Sequence, residues 1–265
     1  LLTRNDLTRR RRHIAVRELL EAALNSGIVP VINENDTISA AELKFGDNDV
    51  LSALVASLVK ADRLFVLSTA PGLLNPATGE LLRIVERIGA TERSMAGGPG
   101  DATSTGGMIT KLQAAELATQ SGCEVVIVDG SQENVISRFQ HNDATLPHTR
   151  FLAQAPDLTA RQRFLAFFER PQGTVVVDAG AAAAVLRGTN SLLAKGCTAV
   201  HGSFEAGAVV SVEAADGSEL ARGRCGYSSE ALTLALGLGS AQLSEAYPER
   251  HRCEVIHRDD LVVLA

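Results

Sequence analysis

Two stretches of this 265-residue chain carry residue types suited to chemistry. In Thr105-Gly106-Gly107-Met108-Ile109-Thr110-Lys111, two glycines stand just before a helix-forming pattern. Glycines there leave backbone N–H groups open to a ligand, and the positive end of the helix dipole favours an anion, phosphate above all. Lys111 adds a mobile positive charge suited to a phosphoryl group in transfer. The spelling is not the G-x-x-x-x-G-K-[ST] loop, and glycines also open helices that bind nothing, so both readings stay open on these residues alone.

The second stretch is Gly46-Asp47-Asn48-Asp49, directly ahead of the apolar pattern Val50, Leu51, Leu54, Val55, Leu58, Val59. One Asp or Asn in that place caps the helix. Two carboxylates and an amide exceed what one cap requires. With Asp36, in the polar cluster Asn33-Glu34-Asn35-Asp36, they could receive the ammonium and carboxylate of an amino acid. Spacing leaves capping alone and capping plus binding equally open. The six histidines show no metal-ligand spacing, and no Ser/His/Asp arrangement stands out, so no dedicated protein metal site is expected.

The elements that must position these residues alternate. A helical pattern from Asn5 to Asn25 ends at Gly27, with the basic run Arg9 to Arg12 on it as a solvated face. Ile28-Val29-Pro30-Val31-Ile32 reads as a strand buried on both faces. The Val50 to Val59 helix follows, then a strand Leu64-Phe65-Val66-Leu67 closing on Ser68-Thr69. A helix from Met108 to Gly122 then leads to a strand Val125-Val126-Ile127-Val128 closing on Asp129-Gly130. Helices alternating with continuous apolar strands predict an α/β fold with a parallel sheet covered on both faces. In such sheets ligands sit beyond the carboxyl ends of the strands, where the polar clusters fall.

From Asn142 to Gly173 the pattern weakens between Pro147, Pro156 and Pro171, with a short helix around Arg161 to Phe168, and reads as a linker. Beyond it come short runs with Gly turns: Thr174 to Val177, Ala208 to Val212, and Cys253 to Ile256. Asp216-Gly217 signals a hairpin, and Ala181 to Arg187 signals a helix. This predicts a small β-rich second domain.

Composition narrows the function classes. Lys and Arg total 25 against 31 Asp and Glu, a net charge of −6, the wrong overall sign for neutralising a phosphate backbone. Aromatics are only 4%, with no Trp, so stacking platforms are scarce and the core must be aliphatic. Cys123, Cys197, Cys225 and Cys253 lie far apart with no C-x-x-C pair, which fits a reducing, cytoplasmic location. No apolar run reaches membrane-span length, and the first residues are too short and polar for a signal peptide. The chain opens with Leu1 rather than Met, and further residues ahead of it are expected.

Val29-Pro30-Val31-Ile32-Asn33-Glu34-Asn35-Asp36, Phe45-Gly46-Asp47-Asn48-Asp49 and Ser104-Thr105-Gly106-Gly107-Met108-Ile109-Thr110-Lys111 together resemble the glutamate 5-kinases, of the amino-acid kinase family. The segment from Gly173 to Asp260 resembles the PUA domain that bacterial members carry at their C-terminus. Order and spacing cover nearly the whole chain. The resemblance implies a three-layer parallel-sheet amino-acid kinase fold, truncated at its N-terminus, over 1–150, a linker over 151–172 and a PUA domain over 173–265.

The resemblance also implies ATP-dependent phosphorylation of the γ-carboxylate of L-glutamate, the first step of proline biosynthesis, with Mg²⁺ carried by the nucleotide. Asp36 and Asn48 match glutamate-binding positions. Asp49 matches an aspartate that orients catalytic lysines, and Lys111 matches one of those lysines. Ser68, Thr69, Thr105, Gly106, Gly107, Met108, Ile109, Thr110 and Lys111 match the ATP-binding stretches. Inhibition by proline and a homo-oligomer are implied with them. In one departure, the family has Thr-Asp where this chain has Ser68-Thr69, so a carboxylate is lost beside the nucleotide. In the other, the family's first strand, its Lys-x-Gly-[ST]-Ser loop and a serine contacting glutamate are absent, which predicts little kinase activity from this chain alone.

Two rival readings remain. PUA domains elsewhere accompany RNA-modifying enzymes, but Gly173 to Ala265 carries seven Lys or Arg against eleven Asp or Glu, a net of −4 with no basic stripe, which points away from RNA and toward an assembly role. Another amino-acid kinase of the same superfamily, acting on aspartate, carbamate, acetylglutamate or a nucleotide, is the other.

Overall fold

The first helical pattern breaks in two, α1 (Arg4–Thr8) and α2 (Arg10–Asn25), with Arg9 between them in extended backbone. Asp6 explains the first piece: its carboxylate accepts from the Thr3 N–H at 2.8 Å and the Thr3 hydroxyl at 2.6 Å, closing a turn at the helix start. Arg12 reaches back to the same carboxylate at 3.1 Å. The arginines that open α2 thus sit at the positive end of its dipole with no acidic residue in its first turn.

The computed structural model describes residues 1–35, 48–97, 107–154, 159–246 and 253–264. The chain divides into two units, Leu1–Asp157 and Leu158–Ala265. Among the described residues, no helix is long and apolar enough to cross a membrane.

After α2 the first unit holds α3 (Asn48–Val59), β1 (Arg63–Ser68), β2 (Ile84–Val85), α4 (Ala90–Ala96), α5 (Met108–Gln120), β3 (Glu124–Asp129), α6 (Val135–Gln140) and β4 (His148–Phe151). The sheet order is β1-β3-β4-β2. β1 and β3 are parallel over six residue pairs, from Arg63 with Glu124 to Ser68 with Asp129. β4 runs antiparallel to β3, so the sheet is mixed rather than wholly parallel.

The expected strand at 28–32 does not form. Ile28, Val29 and Val31 are 60%, 82% and 95% exposed, and the pairing beside this run is a short bridge between Leu2 and Glu34. A continuous apolar run becomes a buried strand only where neighbours hydrogen-bond to its edges and cover its faces. Among the described residues nothing does so here.

The core that sets the helix positions is small and aliphatic. Ala53 and Ala56 of α3 share one buried cluster with Ala114, Ala115 and Ala118 of α5, backed by Val66 of β1 and Val125 and Ile127 of β3. Alanine seams let two helices approach closely.

α2, α3 and α5 end with the same closure, as does α6 through the Asp143 N–H on the Arg138 carbonyl behind left-handed Asn142. The N–H of Ile28 bonds the Ala23 carbonyl, that of Ala61 bonds Ala56, and that of Cys123 bonds Ala118, at 2.9, 2.9 and 3.0 Å. The residue before each donor is left-handed: Gly27 (φ 72°), Lys60 (φ 54°) and Gly122 (φ 90°). This is the Schellman ending, in which a reversed residue satisfies the orphan carbonyls. It drops α3 and α5 straight into β1 and β3.

The second unit holds α7 (Ala160–Arg163), a π-helical turn over Phe164–Phe168, β5 (Gly173–Val177), α8 (Ala179–Leu186), β6 (Leu192–Leu193), β7 (Cys197–His201), β8 (Val209–Glu213), β9 (Glu219–Arg224), α9 (Ser229–Ala235), α10 (Ser240–Ala246), β10 (Glu254–Ile256) and β11 (Leu261–Val263). Five strands order as β11-β9-β8-β5-β7, and β10 pairs with β6. The hairpin at Asp216-Gly217 joins β8 to β9, with Gly217 left-handed. The stretch read as a linker holds the end of β4, α7 and the π-helical turn. In that turn, Leu165 and Ala166 pack with Val209 and Val262. Arg222 donates to the Ala166 carbonyl at 2.7 Å, and Arg224 to Glu169 at 2.8 Å. Burial pushes the Cys197 thiol up to about 12 and the Cys123 thiol up to about 11, so both are inert fillers.

Two expectations follow. Lys60 carries a left-handed backbone that costs an L-residue about 1–2 kcal/mol. Lys60→Gly should raise the stability of the first unit by about 0.5–1 kcal/mol, allowing for the freer unfolded glycine; a lowered urea midpoint would contradict the closure described. Glu124 is wedged between Arg150 at 2.6 Å and Arg63 at 2.7 Å. Burial alone would push its carboxyl up, but the two guanidiniums outweigh it and hold it below the ordinary value of 4.5. Its contribution is therefore full above about pH 4.5 and is lost as pH falls through the depressed value. Glu124→Gln should cost about 1 kcal/mol at pH 7, with the gap to wild type closing on acidification below pH 4.5; a pH-independent gap would show that the charge is immaterial.

Candidate active site

The two motif stretches meet at one ion pair. Lys111, in the first turn of α5, donates from Nζ to Asp49 Oδ2 at 2.9 Å. Their side chains are only 13% and 17% exposed, so water screens the pair incompletely. The Thr110 hydroxyl donates to the Gly107 carbonyl at 2.8 Å and lies 3.3 Å from the same Asp49 oxygen. Ser52, which no motif singles out, donates to the Asp49 backbone carbonyl at 2.7 Å and steadies that turn. Only its three-residue offset from Asp49 could have signalled it.

Helix packing explains the meeting. Side chains four apart share one helix face, which puts Asp49 in line with Ala53 and Lys111 in line with Ala115, both on the buried alanine seam. Close approach of α3 and α5 along that seam brings the two charges together at its end. Asp49 also sits in the first turn of α3, where a carboxylate suits the helix dipole.

The same geometry collects the described candidates at one sheet edge. The 13 residues of α5 span about 20 Å, as do the six residues of β3 that follow it. The N-terminus of α5 therefore returns to the level of the carboxyl end of β3. α3 and β1 repeat this relation, so Asn48, Asp49, Ser68, Thr69 and Gly107 to Lys111 all belong to the carboxyl edge of the parallel pair β1 and β3. Gly107 caps α5 in extended backbone with no side-chain hydrogen bond to the helix. Backbone N–H groups at the start of a helix favour an anion.

Asn48 is exposed at the start of α3, and Thr69 is exposed beyond β1. The Ser68 hydroxyl accepts from the Ala70 N–H at 3.2 Å. Met108 is partly buried against the core, while Ile109 is 44% exposed. Asp36, Thr105 and Gly106 lie outside the described residues. Among the described residues no group of three His, Cys, Asp or Glu side chains could hold a metal ion.

Known proteins agree with this architecture. The amino acid kinase family profile matches residues 1–129, and the PUA domain profile matches residues 173–246. The chain is 44% identical over 269 residues to a glutamate 5-kinase of Photobacterium profundum, covering all of this chain and 71% of that protein. It is 45% identical to a glutamate 5-kinase of Sodalis glossinidius, covering 99% of this chain and 72% of that one. It is 42% identical to a glutamate 5-kinase of Trichlorobacter lovleyi, covering 100% and 71%. A solved PUA domain from Aeropyrum pernix K1 is 28% identical over 36% of this chain and 45% of its own, with a TM-score of 0.25, too low to add to the assignment. With profiles, order and identity in accord along its length, the chain belongs to the glutamate 5-kinase family, an amino-acid kinase region followed by a PUA domain.

Proposed function

We propose that the carboxyl edge of β1 and β3, with the N-termini of α3 and α5, binds ATP and L-glutamate and transfers the γ-phosphoryl group to the side-chain carboxylate. The observation that carries this reading is the Lys111–Asp49 pair beside the side-chain-uncapped start of α5. An oxygen of the glutamate γ-carboxylate attacks the γ-phosphorus, the bond to the bridging oxygen breaks, and ADP leaves with the electron pair. Negative charge spreads over the transferring group and the leaving oxygen, and catalysis is mostly positioning plus charge stabilisation. Lys111 supplies the mobile cation. Asp49 acts as a positioning residue that keeps the ammonium aimed. The N–H groups of Met108, Ile109 and Thr110, with Thr105, Gly106 and Gly107, cradle the phosphates, and Ser68 and Thr69 meet the nucleotide. Asn48 and Asp36 hold glutamate.

Mg²⁺, carried by the nucleotide, would neutralise charge on its phosphates. Asp49 Oδ2 is already engaged by Lys111 at 2.9 Å, so the cation would be held by phosphate oxygens rather than by that carboxylate alone. Proline inhibition, homo-oligomer assembly and a cytoplasmic location accompany the reading as family properties.

The test is ADP release dependent on glutamate and Mg²⁺, measured for this chain alone and joined to the portion of the Photobacterium relative that it does not span. Turnover in the joined protein should fall by about 10²–10³ in Lys111→Met with ATP affinity changed only a few-fold, the scale of losing one transition-state donor. Asp49→Asn should lower kcat more than it alters KM. Folded proteins with no glutamate-dependent ADP release in either form would overturn the reading.

A further inference from the structure

Strand register puts a second carboxylate at the same edge. Ser68, the last residue of β1, pairs directly with Asp129, the last residue of β3. The chain that lacks an acid after Ser68 thus has one on the neighbouring strand, one ladder position across. Gly130 follows it, and its N–H donates to the Ser68 carbonyl at 2.8 Å. A Cβ on Gly130 would meet Leu67 Cβ at 2.8 Å, so the turn after Asp129 lies against the end of β1 because it carries no side chain.

The Asp129 carboxylate is braced. One oxygen accepts from the Ser131 N–H at 2.9 Å and the Ser131 hydroxyl at 2.7 Å. These bonds hold the group below the usual carboxylate range, with the Gln132 side chain contributing. The Gln132 side-chain oxygen accepts in turn from Arg138 at 2.9 Å, and Arg138 is fixed by Asp143 at 2.7 Å. The aspartate–serine turn alone is no sign of a ligand, since it recurs at Asp216 with Ser218. Asp129 differs from Asp216 in its place on the sheet edge and in the bracing behind Gln132.

An ionised carboxylate only accepts hydrogen bonds and repels phosphates, so the part of a nucleotide that suits it is one presenting donors away from the phosphate chain. A ribose diol offers two adjacent hydroxyl donors. A carboxylate at the end of a parallel strand is a known way of holding ribose hydroxyls. Resting on the nucleotide-binding reading above, we propose that Asp129 is a specificity residue that accepts hydrogen bonds from the ribose hydroxyls of the nucleotide, on the strand next to Ser68.

The experiment measures dissociation constants of Mg²⁺ complexes of ATP, 2′-deoxyATP and 3′-deoxyATP for the chain, for Asp129→Asn and for Asp216→Asn, with thermal midpoints for each. Wild type should bind ATP about tenfold more tightly than at least one deoxy analogue, the scale of one charge-assisted hydrogen bond. Asp129→Asn should lose about tenfold for ATP and lose that discrimination, while Asp216→Asn, which changes the same kind of turn elsewhere, should keep both. An unchanged ratio of ATP to deoxyATP affinity in folded Asp129→Asn, or a wild type that binds all three alike, would overturn the ribose role while leaving nucleotide binding intact. A wild type that binds none of the three would overturn both readings.

Discussion

Parallel pairing of β1 with β3 is the constraint on which the first unit depends. Strands that run the same way cannot be joined by a hairpin, so the chain must travel back the full strand length before starting the second. Here α5 makes that return for β3, and α3 precedes β1 in the same sense. Because helix and strand span matching lengths, both helix N-termini finish at the strand carboxyl ends. Positive dipole ends and polar strand ends thereby meet at one edge, and the Lys111–Asp49 pair links them across 62 residues of sequence. The pair adds little net stability, since desolvating two charges offsets most of their attraction. Its consequence is aim: the ammonium has one preferred place.

The alanine seam makes that aim achievable. Larger side chains at Ala53, Ala56, Ala114, Ala115 or Ala118 would push α3 from α5 and lengthen the gap that Lys111 must cross. A flexible lysine tolerates some of this, whereas the 3.3 Å approach of the Thr110 hydroxyl to Asp49 does not. The poverty in aromatics, visible in composition as an aliphatic core, is therefore also a statement about the spacing of the site.

Legibility in the sequence followed the physics of each element. α3, α5 and β3 were readable because periodic or continuous apolar runs, with turn residues behind them, coincide with burial in the structure, and β1 was readable as a strand although Val66 is its one buried residue and Leu67 is 54% exposed. The run 28–32 has the same texture and is exposed, because burial of a strand is a property of its neighbours and not of its own residues. β4, His148–Phe151, was hidden by its alternation of polar and apolar residues in a stretch punctuated by proline, although Thr149 and Phe151 are buried. α4 and α6 are too short for periodicity to register. At the site, the residue types at Asp49 and Lys111 were legible as candidates, and their family roles came by resemblance. Their contact, and the pairing of Ser68 with Asp129, depend on sheet register that no local pattern encodes.

The second unit uses its arginines differently. Arg222 is held by both oxygens of Glu219 and by the Ala166 carbonyl, and Arg224 by Glu169 and the Gly207 carbonyl. Arg258 lies beside Asp259. Arg222 and Arg224 fasten the stretch from Ala166 to Glu169 to β9, while the Arg258 side chain is 64% exposed. Bonds to the unit's own carboxylates and carbonyls thus occupy Arg222 and Arg224. The same ion pairs stiffen the entry to the domain: the chain from Phe164 reaches β5 already fixed by charge-assisted hydrogen bonds, and a strand delivered in register needs no further device to start the five-stranded sheet.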